Sequence, residues 1–217
     1  MPELLATDEL SSPYADAPPA RFIQSDGKPV YALVGGLFRD TADGPDGPIQ
    51  LLVAPGIWRE FHPDFLPMLE FFRTPRTEQQ AREWLTWAGA PRDGLDDLVE
   101  TGLVVKVDSR SPSTALASLS GVAVIPQSTI GDVLPGQPGL VGVRRRPEDP
   151  DTYSVTVELA RVLWGLVEPE DLPTAVGTVA EELGEDYPVV ARRVLTPIPA
   201  LLAHGYVRLE WLRAPGL

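Results

Sequence analysis

Cysteine is absent from the chain, and histidine is nearly so, with only His62 and His204 among 217 residues. Without sulfur there are no disulfides, no Cys-ligated zinc, no iron–sulfur cluster and no thiol nucleophile. Two imidazoles are too few for a His-rich metal site, although one would suffice for a catalytic triad. Positive charge is scarce as well: 18 Lys and Arg stand against 31 Asp and Glu, a net charge of -13. Residues 1–108 carry -9 and the remainder -4, so neither half is basic. Such a chain repels a phosphate backbone unless its cations gather on one face, which disfavours nucleic acid as a partner. Long apolar runs are missing too, since none approaches the roughly 20 residues of a membrane span. The opening segment, MPELLATDELSSPYADAPPA, has neither a basic n-region nor a continuous apolar h-region. The expectation is a soluble cytoplasmic protein with no membrane partner.

What is present is an apolar content of 43%, enough for a packed core. Proline is abundant, 24 of 217 residues or about 11% against a usual level of roughly 5%, and it punctuates the element boundaries. Residues 1–20 read as a flexible N-terminal arm. Arg21–Gln24 and Pro29–Val34 read as strands about the turn Ser25–Lys28, where Asp26-Gly27 supplies the positive φ of a tight hairpin. Pro48–Val53 reads as a third strand, which makes a small antiparallel meander.

Helical signals follow. Asp64–Phe72 is compact and apolar, with Pro67 where a first turn tolerates it. Thr77 with Gln80 three residues on spells a capping box, and Ala81, Trp84 and Leu85 then share a face. Leu95, Leu98 and Val99 lie at helical spacing before Gly102, which suits a C-cap, and Leu103–Val107 leaves as a strand. Three helices, a glycine and a strand is the order of a winged helix-turn-helix.

The order recurs. Val157–Leu166 and Leu172–Leu183 have helical periodicity, Asp171 stands as a cap, and Pro188–His204 closes at Gly205 before the alternating strand Tyr206–Trp211. LDDLVETGLVVKV at 95–107 overlays IPALLAHGYVRLE at 198–210 with a constant shift of 103 residues. Both an ancestral duplication and a second use of the same helix–Gly–strand physics fit that overlay. Gly139–Arg146 and Tyr153–Val157 are expected to pair across the Pro147–Asp151 turn. Residues 109–138 read as a linker whose run Gly121–Ile125 suits a strand. The fold class is therefore α+β: two winged helix-turn-helix-like modules, at 21–108 and 139–217, each a small antiparallel meander plus three helices.

No catalytic constellation emerges. His204 precedes Gly205 at a helix end, where the dipole favours a cation in a capping role. His62 has carboxylates near it but no Ser or second His at a motif spacing. Ser118 and Ser120 lack the Gly-x-Ser-x-Gly of a nucleophile elbow, and no P-loop, Gly-x-Gly-x-x-Gly or His-Glu-x-x-His string occurs. Asp96-Asp97, Glu181-Glu182 and Glu185-Asp186 are consecutive positions, which point about 100° apart on a helix and favour solvated faces over a shared metal. No catalytic residue, metal or cofactor is expected. Arg144-Arg145-Arg146, with Arg192-Arg193, is the one basic concentration. In this acidic setting it suits ion pairs within the protein or an acidic peptide better than DNA. Of the tryptophans, Trp84 and Trp164 fall on apolar helix faces, Trp211 reads as a core or interface anchor, and Trp58 and Trp87 are candidates for partner contact.

A three-stranded meander followed by a three-helix winged unit resembles the PqqD-like domain, or RiPP recognition element, which binds leader peptides of ribosomally made natural products. The resemblance is carried by Pro48–Val53, Thr77–Leu85 and Leu95–Gly102 in the first half. In the second it is carried by Gly139–Arg146, Val157–Leu166 and Ala200–Arg208, with Pro197 and Pro199 interrupting the third helix. It implies a peptide added as a strand to the meander edge and packed against the third helix, through main-chain bonds and side-chain pockets. Carried over, the groove would use Gln50, Leu51, Leu52, Val53, Leu95, Leu98 and Val99. The implied role is non-catalytic recognition of a peptide or protein, such as a precursor peptide and its modifying enzyme, with a homodimer also admitted. A winged-helix transcription regulator and a scaffold subunit of an enzyme complex are the rival readings.

Overall fold

A computed structural model describes residues 18–37, 42–44, 47–54, 57–61, 65–150, 153–165 and 169–212, of which 37–61 are described as backbone. Most of the N-terminal arm and His62 lie outside the described residues. The architecture is mixed α+β, with helices packed on small antiparallel sheets.

In the first half, β1 (Val30–Leu33) is the middle strand of a sheet completed by β6 (Arg76–Thr77) and β7 (Val104–Val107). Tyr31 and Leu33 face α1 (Leu66–Phe72), α2 (Glu78–Trp87) and α3 (Gly94–Glu100), in a core that includes Leu69, Phe72, Trp84 and Leu95. Val30 and Ala32 point the other way, into the larger core of the protein. Successive strand residues alternate faces, so a strand apolar at every position is one covered on both sides. The capping box starts α2 as expected, with Thr77 Oγ1 accepting from the Gln80 N–H at 3.2 Å and the Gln80 side chain accepting from the Thr77 N–H at 2.9 Å.

Between β1 and α1 the chain makes a separate sheet. Its inner strand β4 (Gly47–Ala54) pairs β5 (Ile57–Phe61) on one side, and β2 (Gly36–Leu37) and β3 (Ala42–Gly44) on the other. The expected meander of 21–24, 29–34 and 48–53 is thus corrected. Arg21–Gln24 is not a strand, and the strands at 30–33 and 47–54 belong to different sheets. Of that hairpin the turn, with Gly27 at φ 65°, and the second strand, as β1, are present.

Residues 109–138, expected as a linker, are built into the core. They hold α4 (Pro112–Ser118), β8 (Val122–Pro126) and β9 (Thr129–Val133). Ala115, Leu116 and Leu119 have no exposed surface, and α4 packs against β7 of the first half and a helix of the second. Its N-terminus is a second capping box, Ser111 with Thr114, around a Pro at the first helical position.

The second half continues with β10 (Leu140–Arg144) pairing β9 and β11 (Tyr153–Thr156), the latter in the hairpin expected across the 147–151 turn. Four helices follow: α5 (Val157–Trp164), α6 (Leu172–Leu183), α7 (Tyr187–Leu195) and α8 (Ile198–Ala203). Pro197 divides α7 from α8. The last strand, β12 (Val207–Trp211), returns to pair antiparallel with β8.

The two halves share one plan, in which a first strand, a β excursion and several helices lead to a last strand that pairs antiparallel with the first. β1 and β7 play these parts in the first half, β8 and β12 in the second. The 103-residue overlay holds at the hydrogen-bond level. Thr101 and Gly102 donate to the carbonyls of Asp97 and Val99, and His204 and Gly205 donate to those of Ala200 and Leu202. Gly102 and Gly205 adopt φ of 69° and 70°, the left-handed turn that ends a helix and admits glycine without a Cβ clash. One continuous core, from Phe22 through Val105, Leu116 and Leu159 to Leu209, crosses both halves. Trp211 Nε1 donates to the Gly102 carbonyl at 2.7 Å, and the Gly35 N–H to the Leu209 carbonyl at 2.8 Å.

Candidate functional site

Of the groove expected from Gln50, Leu51, Leu52 and Val53 with Leu95, Leu98 and Val99, the β4 part is described as backbone alone. β4 is flanked by β5 along Gln50–Val53, and by β2 at Leu52 and Val53. Leu95 and Leu98 are buried against Tyr31, Leu33 and Trp84, and Val99 packs beside them. The apolar face of α3 is spent inside its own unit, and Asp96, Asp97 and Glu100 are what it shows to solvent.

The arginines are also distributed differently from the expectation. β10 stops at Arg144, so Arg145 and Arg146 lie in the turn and share no strand face with it. Arg144 reaches the Pro147 carbonyl at 3.1 Å, and Arg145 donates to the His204 carbonyl at 2.9 Å while lying 6.0 Å from the Tyr206 ring centroid. Arg146 is exposed. Arg193 bridges Glu185 at 2.9 Å and Glu158 at 3.8 Å, an internal use of the charge, whereas Arg192 is exposed on α7. His204 is the C-cap residue of α8, as its position before Gly205 implied. Trp84 stacks on Phe71 at 4.9 Å, while Trp87 is 41% exposed. Ser118 Oγ donates to the Thr114 carbonyl at 2.9 Å and accepts from the Asp108 N–H at 3.0 Å, a local structural role.

One cavity, of about 300 Å³, lies at the seam between the halves, with Leu33 and Gly36 on one side and Gly205 and Leu209 on the other. Its two guanidiniums are already matched: Arg73 to Glu70 at 3.1 Å, and Arg208 to Glu210 at 2.7 Å and to Gln127 at 3.0 Å. The seam is a packed contact rather than an anion site. Glycine is favoured there by its φ of 70°, and the nearest neighbour of a Cβ on Gly205 would be the far end of the Arg73 side chain, 2.6 Å from Nη2, which can move aside.

A second cavity, of about 260 Å³, lies against β8, and here the backbone is open. Gln127 donates to Tyr206 and Leu212 donates to Gly121, which fixes the phase of the β8–β12 ladder. In an antiparallel pair, bonded and non-bonded positions alternate. Residues 121, 123, 125 and 127 therefore turn their main-chain groups to β12, and Val122, Val124 and Pro126 turn theirs away. The Val122 N–H is taken by the Leu119 carbonyl and the Pro126 carbonyl by the Gln127 side chain. The Val124 N–H and carbonyl and the Val122 carbonyl have no protein partner among the described residues. The far wall is helical, with Val162 and Trp164 from α5 and Leu172 and Ala175 from α6. Trp164 is fixed by its indole N–H, which donates to the Ser128 carbonyl at 3.0 Å.

Asp171 stands between Glu170 and Leu172, which both line this cavity. It caps α6 by accepting from the Thr174 N–H at 3.1 Å and reaches across to accept from the Gly121 N–H at 2.9 Å. Burial works to raise its pKa, but the bonds from Gly121 and Thr174 outweigh that and hold the carboxyl below its usual value. Glu170, exposed on the rim, is the only charged side chain among the described residues lining the cavity. The strand itself was expected, at Gly121–Ile125, but within a linker, so its edge was not weighed as a surface; Pro126 at its end is tolerated where no ladder bond is asked of it.

No group of three or more His, Asp or Glu able to hold a metal is present among the described residues, and no helix among them is long and apolar enough to cross a membrane. Comparison with family models, with curated proteins and with solved structures finds no match.

Proposed function

We propose that this chain is a non-catalytic recognition protein of two winged-helix-like units, and that its working surface is the unpaired edge of β8. The observation that carries the reading is the backbone of Val124, turned away from β12 toward a cavity walled by Val162, Trp164, Leu172 and Ala175. An open sheet edge beside apolar helix faces is the arrangement by which an extended peptide adds as a strand: its main chain supplies affinity and its alternate side chains supply register. An open edge is otherwise a liability that proteins cover or charge, and this one has a ready-made apolar bed. In winged-helix terms each unit is re-ordered, because its first strand takes the place of the outer wing strand. The likeness to leader-peptide-binding domains extends to this mode of capture, on a different strand from the one first expected.

The acidic outer face of α3 and the ion pairs of Arg193 speak against DNA in either unit. A mobility-shift titration across a salt series tests that point. No retardation at low salt is expected. A shifted band whose affinity falls steeply with salt would replace this reading with the regulator.

A further inference from the structure

We propose that the occupant of the β8 edge is an extended segment of a partner polypeptide, running antiparallel to β8, with one large apolar side chain in the cavity and a Lys or Arg beside it facing Glu170. This rests on the recognition reading above and adds the chemistry of the ligand. Three observations lead to it. The first is an internal template: in the first half, the corresponding strand β1 has its second edge filled by β6, a two-residue antiparallel addition with Val30 opposite Thr77 and Tyr31 opposite Arg76. β8 has β12 on one side, as β1 has β7, and no counterpart of β6 on the other among the described residues. The N–H and carbonyl of Val124, which no described residue takes, match a strand as short as β6.

The second is volume. The cavity of about 260 Å³ is bounded by Val124, Val162, Leu172 and Ala175, all members of the main core, so a side chain entering it joins an existing apolar cluster. The third is charge. Glu170 is the only charge among the described lining residues, and the chain carries -13, so an acidic segment is repelled at the rim and at long range while a basic one is drawn in. β6 shows the same pairing of cation and apolar surface: Arg76 is buried, with its guanidinium 4.5 Å from the Phe71 ring centroid and its Nε donating to the Phe71 carbonyl.

A displayed library of random nonapeptides panned against the full chain, followed by fluorescence anisotropy with the enriched peptides, tests this. Enrichment of alternating apolar sequences with Lys or Arg next to a large apolar residue is expected. Three variants separate the claims, each checked for folding by circular dichroism and thermal unfolding. Val124→Pro removes the free N–H while sparing the β12 ladder, and Ala175→Phe fills the cavity; each should weaken binding at least about tenfold. Glu170→Lys should move the preference from Lys-flanked toward Asp-flanked versions of one peptide by about fivefold, the range of an exposed ion pair. Enrichment of acidic peptides, or a ranking unchanged by Glu170→Lys, overturns the basic ligand and leaves the edge standing. Failure to enrich any peptide, or binding unaffected by Ala175→Phe, overturns both. Should Val124→Pro not fold, protection of the Val124 amide from hydrogen exchange on adding the enriched peptide decides the same point, and lack of protection counts against the edge.

Discussion

The two halves of this protein make the same strand pair and finish it differently. β1 lies between β7 and β6 and is buried on both faces and both edges, whereas β8 has β12 on one edge and a cavity on the other. The difference originates just before a capped helix. Before α2 the chain runs extended through Arg76 and Thr77 and adds to β1, with Thr77 serving as both strand residue and cap. Before α6 the cap is Asp171, and its carboxylate reaches the Gly121 N–H at the foot of β8 instead of laying down backbone along it. A side chain thus ties helix to strand where the other half uses main chain, and among the described residues no strand pairs with the edge beyond. On the reading proposed above, the first half is closed, while the second keeps the same frame with a place for a strand.

That contrast can be broken at several points. The largest effect is expected from Leu116→Ala, in the helix wedged between the halves. Deletion of a fully buried leucine should cost about 2 to 5 kcal/mol. Because the core is continuous, denaturant unfolding followed by circular dichroism and by tryptophan fluorescence should move as one transition; two separated transitions would show that the halves are independent. Next come the twin glycines. Gly102→Ala should lose about 1 to 2 kcal/mol from the left-handed φ alone. Gly205→Ala should lose about as much, because it shares the left-handed φ and the Arg73 guanidinium its Cβ meets is the mobile end of a flexible side chain. A clearly larger loss at Gly205, returned by adding Arg73→Ala, would mean that the seam holds Arg73 rigidly.

The smallest effect is Asp171→Ala, expected to cost about 1 kcal/mol as a lost cap. Its pH dependence has a definite sign. The folded carboxyl titrates below its unfolded value of roughly 3.9, so the wild-type advantage should be complete above that pH and vanish as the pH falls through the folded pKa. A stability gap unchanged in acid would remove Asp171 from the role given to it as the tie between α6 and β8.

Much of the local structure was legible in the residues. The Thr77–Gln80 capping box, the Asp171 cap, the helix–Gly–strand endings at 102 and 205 and the hairpin across 147–151 all follow from signals contained within a few positions. The second capping box, Ser111–Thr114, was equally local but was passed over inside an apparent linker, and with it went α4, the element that joins the halves. Strand pairing was not legible for a different reason. Pro48–Val53 and Val122–Ile125 are similar apolar runs, and nothing within either states that the first acquires neighbours on both sides and the second, among the described residues, on one. Leu95 and Leu98 show the same limit, since helical spacing identifies an apolar face but not whether that face meets a ligand or the protein itself.

The chain alone therefore determined the mixed α+β class, the capped starts and glycine-closed ends of several helices, the matching helix–Gly–strand endings of its halves, and the lack of sulfur chemistry, because each of these depends on residue identity or on contacts between near neighbours. Only the tertiary structure decided which strands pair, which edge is left over and which leucines are spent on the core. Those outcomes are set by contacts across 80 residues or more, such as the bond from Arg208 to Gln127 or from Trp211 to Gly102. Side-chain alternation tells a strand which way to face, and competition among distant partners tells it who lies alongside.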